Sequence, residues 1–465
     1  MTDSGASRCG TYDKDTFEKA FQAVLQMEKR YYPSFIGGLM VASGMDYRIC
    51  SPIDDSVCFG NFQEPEIGIS DAAAEIADRA FPAWSNKSAE ERAAILGKAL
   101  EAIRPQRYRL AAAVLISTGM TKEESVAEVD AFIGIVEAAC VDAVKTKKKP
   151  TGAWAVIAAH NSPLASTMGH AVAAMAAGNT VVIIPSKHAP LPAFLTYEII
   201  ARAGIPDGVL NLVIDRNDQS QVQLADDERI VGVVASGSGK NMEDMMFLHV
   251  DDELGFVNEV KGMNPILVYR PGDYRKAVRD LVDSAFRYSG QHLYSTSKVI
   301  LTIDDQSKFM DLLQEQVKEL TISDPAEDGT FAGPLISKDR AAEFERILKE
   351  KAGSVIYGGK RVKDELTQNG YYYTPAVMLG LDDEDDLAYM DTGLPLLYIK
   401  VVSGLDEAFE EIVYTECGLS AGIYSKDPKV IDRFKKEVEC PVIFVNESSH
   451  TLSPGISAKV GNFVR

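Results

Sequence analysis

Between residues 151 and 215 the chain alternates short apolar runs with stretches of helical length, a pattern few folds can satisfy. AWAVIAA (153–159), TVVII (180–184) and VLNLVI (209–214) read as strands, and 164–177 and 192–203 between them read as helices. Alternation of this kind builds a parallel sheet with helices on both faces. The whole chain has 465 residues, 46% of them hydrophobic, too long for one ordinary core and suited to two or three domains. No apolar run reaches the length of a membrane span, and the start, MTDSGASRCGTYDKDTFEKAF, lacks a basic-then-apolar leader, so a soluble cytoplasmic protein is expected. A net charge of −20 argues against a nucleic-acid or anionic-membrane surface. The six cysteines (Cys9, Cys50, Cys58, Cys140, Cys417, Cys440) show neither metal nor disulfide spacing and read as incidental free thiols.

Upstream of the alternation, FIGGLMVASGMDY (35–47) reads as a hairpin. Helices follow: 71–81 capped by Ser70, 92–103 behind a Ser88/Glu91 capping box, 109–117, and 122–144 behind a Thr121/Glu124 capping box. KTKKKP (145–150) reads as a solvated linker. No G-x-G-x-x-G fingerprint is present.

Residues 285–300, AFRYSGQHLYSTSKVI, have the frame of a nucleophile loop: a Phe, then Gly290-Gln291, then a small polar run, Lys298 and an apolar strand. The segment resembles the F-x-x-x-G-Q-x-C active-site pattern of the aldehyde dehydrogenase superfamily. Other segments keep that superfamily's order, among them AGIPDGVLNLV (203–213), NEVKGMNPILVYR (258–270), GPLIS (333–337) and GLSAGIYS (418–425). The resemblance implies an α/β fold, with a Rossmann-type parallel-sheet domain and an α/β catalytic domain. The phrase STGMTKEESVAEVDAF (117–132) is most similar to 1-pyrroline-5-carboxylate dehydrogenases, which implies a glutamate-semialdehyde-like substrate class.

The resemblance also assigns site residues, and several depart from the pattern. The catalytic asparagine falls on Asn161 in AHNSPL, and the water-activating glutamate on Glu259. The nucleophilic cysteine falls on Leu293, a hydrocarbon where the chemistry needs a thiolate. Loss of a covalent nucleophile costs about six orders of magnitude in related mechanisms. On the cofactor side, NAD or NADP is implied, with contacts falling on Ser186, Lys187, Gly237, Ser238 and Asp391. The lysine that bonds the adenosine ribose is Ile184, and the acid after it is Lys187, a cation suited to a 2′-phosphate. SGSGK (236–240) falls on the pyrophosphate turn, whose later glycine is replaced by Met242 or a near neighbour, and the acid gripping the nicotinamide ribose is shortened to Asp391. SGSGK also reads as an ordinary loop. No metal is implied.

The expected organisation is an N-terminal segment (1–34), a nucleotide-binding-type domain (35–261, with its βα sheet at 151–261), a catalytic-type domain (262–445) and a C-terminal return segment (446–465). The family's β-hairpin between the helix ending near Val144 and GAWAVIAA is almost absent, and so is the tail strand that pairs with it across a dimer. The strand-exchanged dimer is therefore expected not to form, since one element alone would leave an open sheet edge. The functional expectation is a family member deficient in thiol-dependent oxidation of a semialdehyde. Two alternatives stay open: an active NADP-preferring dehydrogenase with another nucleophile, for which Cys417 is the candidate, or a structural partner of an active paralogue. The expected ligand, if any is kept, is a small aldehyde or a nucleotide, and neither nucleic acid nor membrane is expected as a partner.

Overall fold

The computed structural model describes residues 12–27, 29–65, 67–216, 219–237, 255–382, 384–415, 417–451 and 457–465. The chain divides into two units, Met1–Glu259 with Ser453–Arg465, and Val260–Leu452. Among the described residues no helix is long and apolar enough to cross a membrane.

In the first unit the expected alternation is present. Strand Ala153–Ala158 is buried along its whole length and pairs in parallel with Thr180–Ile184 on one side and Ile230–Gly237 on the other. Helix Ala165–Ala177, buried at every residue, makes the crossover and stops at Gly178, whose φ of +105° suits glycine. Helix Leu191–Arg202 and strand Leu210–Leu212 continue the sheet. Its order runs Gly255–Val260, Ile230–Gly237, Ala153–Ala158, Thr180–Ile184, Leu210–Leu212, Ser34–Ile36, Leu39–Val41.

Both capping boxes form, opening helices Ala89–Ile103 and Lys122–Lys145. Ser70 does not cap its helix. Helix Ile69–Ser85 begins after Gly68, and the Ser70 hydroxyl donates to the Ser220 carbonyl instead. The hairpin expected over 35–47 is shorter, Ser34–Ile36 with Leu39–Val41. The following strand, Asp46–Cys50, leaves for a separate sheet with Cys58–Gln63 and Tyr31–Tyr32. That departure corrects the reading of the cysteines: antiparallel register sets Cys50 opposite Cys58, and the two form a disulfide.

Helix Lys122–Lys145 passes directly into strand Ala153–Ala158, and the intervening residues meet the end of the chain. The Lys149 amide donates to the Arg465 carbonyl (3.1 Å) and the Arg465 amide to the Lys149 carbonyl (3.0 Å). Asn179 locks this return, donating to the Phe463 carbonyl and accepting from the Thr151 and Gly152 amides.

The second unit is built on another seven-stranded sheet, ordered Val355–Gly358, Ala376–Leu379, Leu396–Val402, Lys298–Thr302, Ile266–Val268, Ser420–Tyr424, Val442–Val445. Its pairs are parallel except the first, which is antiparallel. Helices Tyr274–Phe286 and Ile303–Lys318 pack one apolar cluster on it, including Leu281, Phe286, Phe309 and Leu313. Helices Leu405–Tyr414 and Pro428–Glu437 contribute Phe409, Ile412 and Phe434 to a second.

Candidate functional site: a nucleophile loop without its thiol

The loop after helix Tyr274–Phe286 is held by its frame residues. Tyr288 and Ser289 both take positive φ (56° and 54°), unusual for non-glycine residues and found where surroundings over-determine the backbone. A Cβ on Gly290 would come within 2.7 Å of Pro395 Cα, so the close approach admits only glycine. Gln291 ties the loop to the 334–336 segment, its Oε1 accepting from the Ile336 amide (3.0 Å) and its Nε2 donating to the Pro334 carbonyl (3.3 Å). Asn264, from the segment before strand Ile266–Val268, knits the rest. Its Nδ2 donates to the Leu293 and Ser295 carbonyls (2.9 and 3.0 Å) and its Oδ1 accepts from the Leu419 and Ser420 amides (3.1 and 3.0 Å). At the centre of this frame the Leu293 side chain is wholly buried hydrocarbon.

A buried charge cluster lies in the same unit. The Lys261 ammonium is fully enclosed and pairs with Asp391, whose carboxylate is 2% exposed. Lys261 also donates to Ser297 Oγ (3.0 Å), Ser297 Oγ donates to Asp391 Oδ1 (2.7 Å), and the Gly393 amide donates to Asp391 Oδ2 (3.0 Å). Burial lowers the Lys261 ammonium below its ordinary pKa, and the Asp391 charge opposes that fall. The third position of the family's E-L-G-G motif, a glycine there, is thus a lysine here, and it engages the acid assigned to the nicotinamide ribose.

Beside the loop stand two imidazoles, His292 and His450, with ring centroids 5.2 Å apart and Tyr288 against both. Burial depresses both, His450 to about 4, so they are neutral near pH 7.

In the first unit, Asn161 is 2% exposed in the turn after strand Ala153–Ala158. Glu259 is no surface acid: it is wholly buried, accepts from Ser236 Oγ (3.1 Å), and has His170 Nδ1 3.9 Å from its Oε2. Glu128 is buried close by in the same unit. Its Oε1 accepts from Ser162 Oγ and from the Leu164 and Ala165 amides, at the start of helix Ala165–Ala177 (2.8, 3.0 and 2.8 Å). Desolvation pushes this carboxyl up to about 7, against the pull of those donors. The first unit therefore keeps a carboxylate and an amide side chain of the types that activate water and hold an oxyanion.

The remaining assigned positions fit a dinucleotide less well. Ile184 ends its strand wholly buried, and its side chain has no donor for a ribose hydroxyl. Ser186 is nearly buried, its Oγ accepting from the His188 amide (3.3 Å), and Lys187 is half-buried. Gly237 closes strand Ile230–Gly237 with φ +151°. Ser238 and Met242 lie outside the described residues. With Ile184 apolar and Asp391 paired to Lys261, the residues described do not supply the ribose contacts that NAD or NADP takes in the family. Among the described residues no group of three or more His, Cys, Asp or Glu side chains is placed to hold a metal.

Sequence reasoning singled out Asn161, Glu259, Leu293 and Asp391 but not the buried Lys261, His170, Glu128 and Asn264. Lys261 carried a signal, a charge where the motif has glycine. Glu128 carried none, since a Glu in an amphipathic helix ordinarily faces water.

Two seven-stranded sheets with helices packed on them, and a loop framed by Gly290-Gln291, are the arrangement of the aldehyde dehydrogenase fold. The Aldehyde dehydrogenase family profile matches residues 41–458, and the chain belongs to that family. Among relatives, it is 26% identical over 407 residues to a D-glyceraldehyde dehydrogenase (NADP(+)) of Picrophilus torridus, covering 83% of this chain and 82% of that one. It is 25% identical over 459 residues to a 1-pyrroline-5-carboxylate dehydrogenase of a Geobacillus species, covering 93% and 88%. A solved 1-pyrroline-5-carboxylate dehydrogenase from Thermus with bound NAD superposes with a TM-score of 0.89 at 22% identity, over all of this chain and 98% of that one.

Proposed function

We propose that this chain is an aldehyde dehydrogenase family member that does not carry out thiol-dependent oxidation and keeps its fold to bind, rather than turn over, a small ligand of the semialdehyde class. The observation that carries the reading is Leu293, a buried hydrocarbon at the nucleophile position inside a loop whose other contacts are intact. Without sulfur the aldehyde carbon cannot become the tetrahedral thiohemiacetal that gives up hydride. The Lys261–Asp391 pair supports the same reading from the cofactor side. The ligand class rests on the relatives named as acting on 1-pyrroline-5-carboxylate and α-ketoglutaric semialdehyde. The protein is proposed to be cytoplasmic and to lack the strand-exchanged dimer, because Lys122–Lys145 joins Ala153–Ala158 with no hairpin between them. Sedimentation velocity checks the association state.

The deciding experiment pairs calorimetric titration of NAD and NADP to millimolar concentration with a nicotinamide absorbance assay on 1-pyrroline-5-carboxylate. The reading expects no turnover from the native chain and none from Leu293→Cys alone, since Asp391 stays engaged. Turnover by the native chain overturns it. In that case the alternative with Cys417 as nucleophile is tested by Cys417→Ser, which must abolish the activity.

A further inference from the structure

Two cysteines of the second unit have been drawn together by the sheet. Strands Ser420–Tyr424 and Val442–Val445 are parallel neighbours in the register Ser420↔Val442. Cys417 lies just before the first and Cys440 just before the second, so both thiols sit at the same end of adjacent strands. Both pack, partly exposed, on the apolar cluster of Phe409, Ile412 and Phe434. The Cys440 thiol hydrogen-bonds the Cys417 sulfur.

We propose that Cys417 and Cys440 form a redox modification site, in which Cys417 is attacked by a hydroperoxide and Cys440 resolves the product to an intrachain disulfide. The Cys417 thiolate attacks the distal peroxide oxygen, the O–O bond breaks, and Cys417 becomes a sulfenic acid while hydroxide leaves. That hydroxide takes the proton of Cys440, whose sulfur then displaces the sulfenic oxygen as hydroxide; this second hydroxide takes up the proton that Cys417 released to solvent on forming its thiolate, so that two thiols and one hydrogen peroxide give one disulfide and two waters.

The division of roles follows from the surroundings. The hydrogen bond from Cys440 favours the Cys417 thiolate and lowers its pKa, whereas donation and burial both raise that of Cys440. The Cys417 backbone is fixed on both sides. Ahead of it, Thr415 Oγ1 accepts from the buried Lys298 ammonium (2.8 Å). Behind it, the Leu419 and Ser420 amides donate to Asn264, and the Cys417 carbonyl itself accepts from the Asn264 amide (3.0 Å). Gly418 is pressed on Gly262 so closely that a Cβ on either would fall within 2.6 Å of the other's backbone. Because Asn264 also holds the Leu293 and Ser295 carbonyls, a bond between the two sulfurs restrains a segment tied to the altered loop. The inference stands independently of any ligand or residual dehydrogenase activity.

The test is peptide mapping of the intact chain after reductant removal and exposure to a small excess of hydrogen peroxide, which resolves every cysteine separately. The expected product is a Cys417–Cys440 linked peptide two hydrogens lighter than the sum of its parts. Cys140, whose thiol burial pushes up, is the internal control and should stay reduced. Iodoacetamide at pH 7 should label Cys417 about tenfold faster than Cys140. In Cys440→Ser, dimedone should trap a sulfenic acid on Cys417; in Cys417→Ser, Cys440 should remain a thiol. Equal oxidation of Cys140 and Cys417, peroxide attack on Cys440 in Cys417→Ser, or no linked peptide from a chain whose circular dichroism is native, would each overturn the proposal.

Discussion

The pairing of Lys261 with Asp391 makes a quantitative demand that Lys261→Met meets directly. Both charges are enclosed, and removing one partner of a buried pair ordinarily costs about 3–5 kcal/mol. Asp391 would keep two donors, the Ser297 hydroxyl at 2.7 Å and the Gly393 amide at 3.0 Å, which places the expected loss near the lower end, about 3 kcal/mol. For a unit of this size each kcal/mol shifts the melting point by about 2–4 °C, so calorimetry should read a drop of about 6–12 °C. The double variant Lys261→Met/Asp391→Leu removes the stranded charge and should recover most of the loss, since apolar replacements of buried pairs are often neutral. A Lys261→Met melting point within about 2 °C of native, or a double variant no better than the single, would refute the reasoning. A binding assay supplies the functional half. Lys261→Gly restores the residue type of the family motif and releases Asp391, and should raise affinity for NAD above native. Unchanged affinity in a folded variant would remove Lys261 from the account of the cofactor side.

Three further outcomes are expected. Glu128, raised to about 7 from an ordinary 4.5, binds its proton more tightly folded than unfolded, so its contribution is present below pH 4.5 and lost as pH rises through 7, about 3 kcal/mol in all. Glu128→Gln should therefore gain stability relative to native between pH 4.5 and pH 8 in urea titrations, and a pH-independent difference would contradict the assignment. His450, depressed to about 4, has the opposite sign: its unfolded form takes the proton first, so about 3 kcal/mol is lost as pH falls from 6.5 through 4, and His450→Gln should flatten that limb. Asn264→Ala strips partners from four backbone groups and should cost about 4 kcal/mol or more in denaturant melts; a cost under about 1 would show that the loop holds without it.

What was legible in the sequence was what repeats locally. The strand–helix alternation, the two capping boxes and the Gly290-Gln291 frame depend on near neighbours and appear in the structure as read. What depends on where an element turns, starts or is covered by another was not legible. The Cys50–Cys58 bond depends on where strand Asp46–Cys50 turns away from the expected hairpin, and Ser70 on where Gly68 starts a helix. Glu128 looks like one more charged helical position until the start of helix Ala165–Ala177 closes over it. Lys261 lay between: the glycine it replaces marked it as unusual, but its partner is far away in sequence at Asp391.

That distance has a consequence for how the altered site could be reversed. A buried carboxylate that neutralises Lys261 is not available at full strength to a ribose hydroxyl, and a lysine enclosed without an acid is costly. The two positions are therefore coupled, and their effects on cofactor binding will not add. Leu293 is linked to the same segment through Asn264, three residues beyond Lys261, which holds the Leu293 carbonyl and reaches the Leu419 and Ser420 amides as well. A thiol introduced at 293 would thus enter an intact frame while the acid at 391 stays engaged with Lys261. Leu293→Cys alone should give a reactive thiol without dehydrogenation, and Lys261→Gly alone a stronger nucleotide contact without a nucleophile. If hydride transfer can be recovered at all, it should first appear when both are combined, together with a lysine at Ile184.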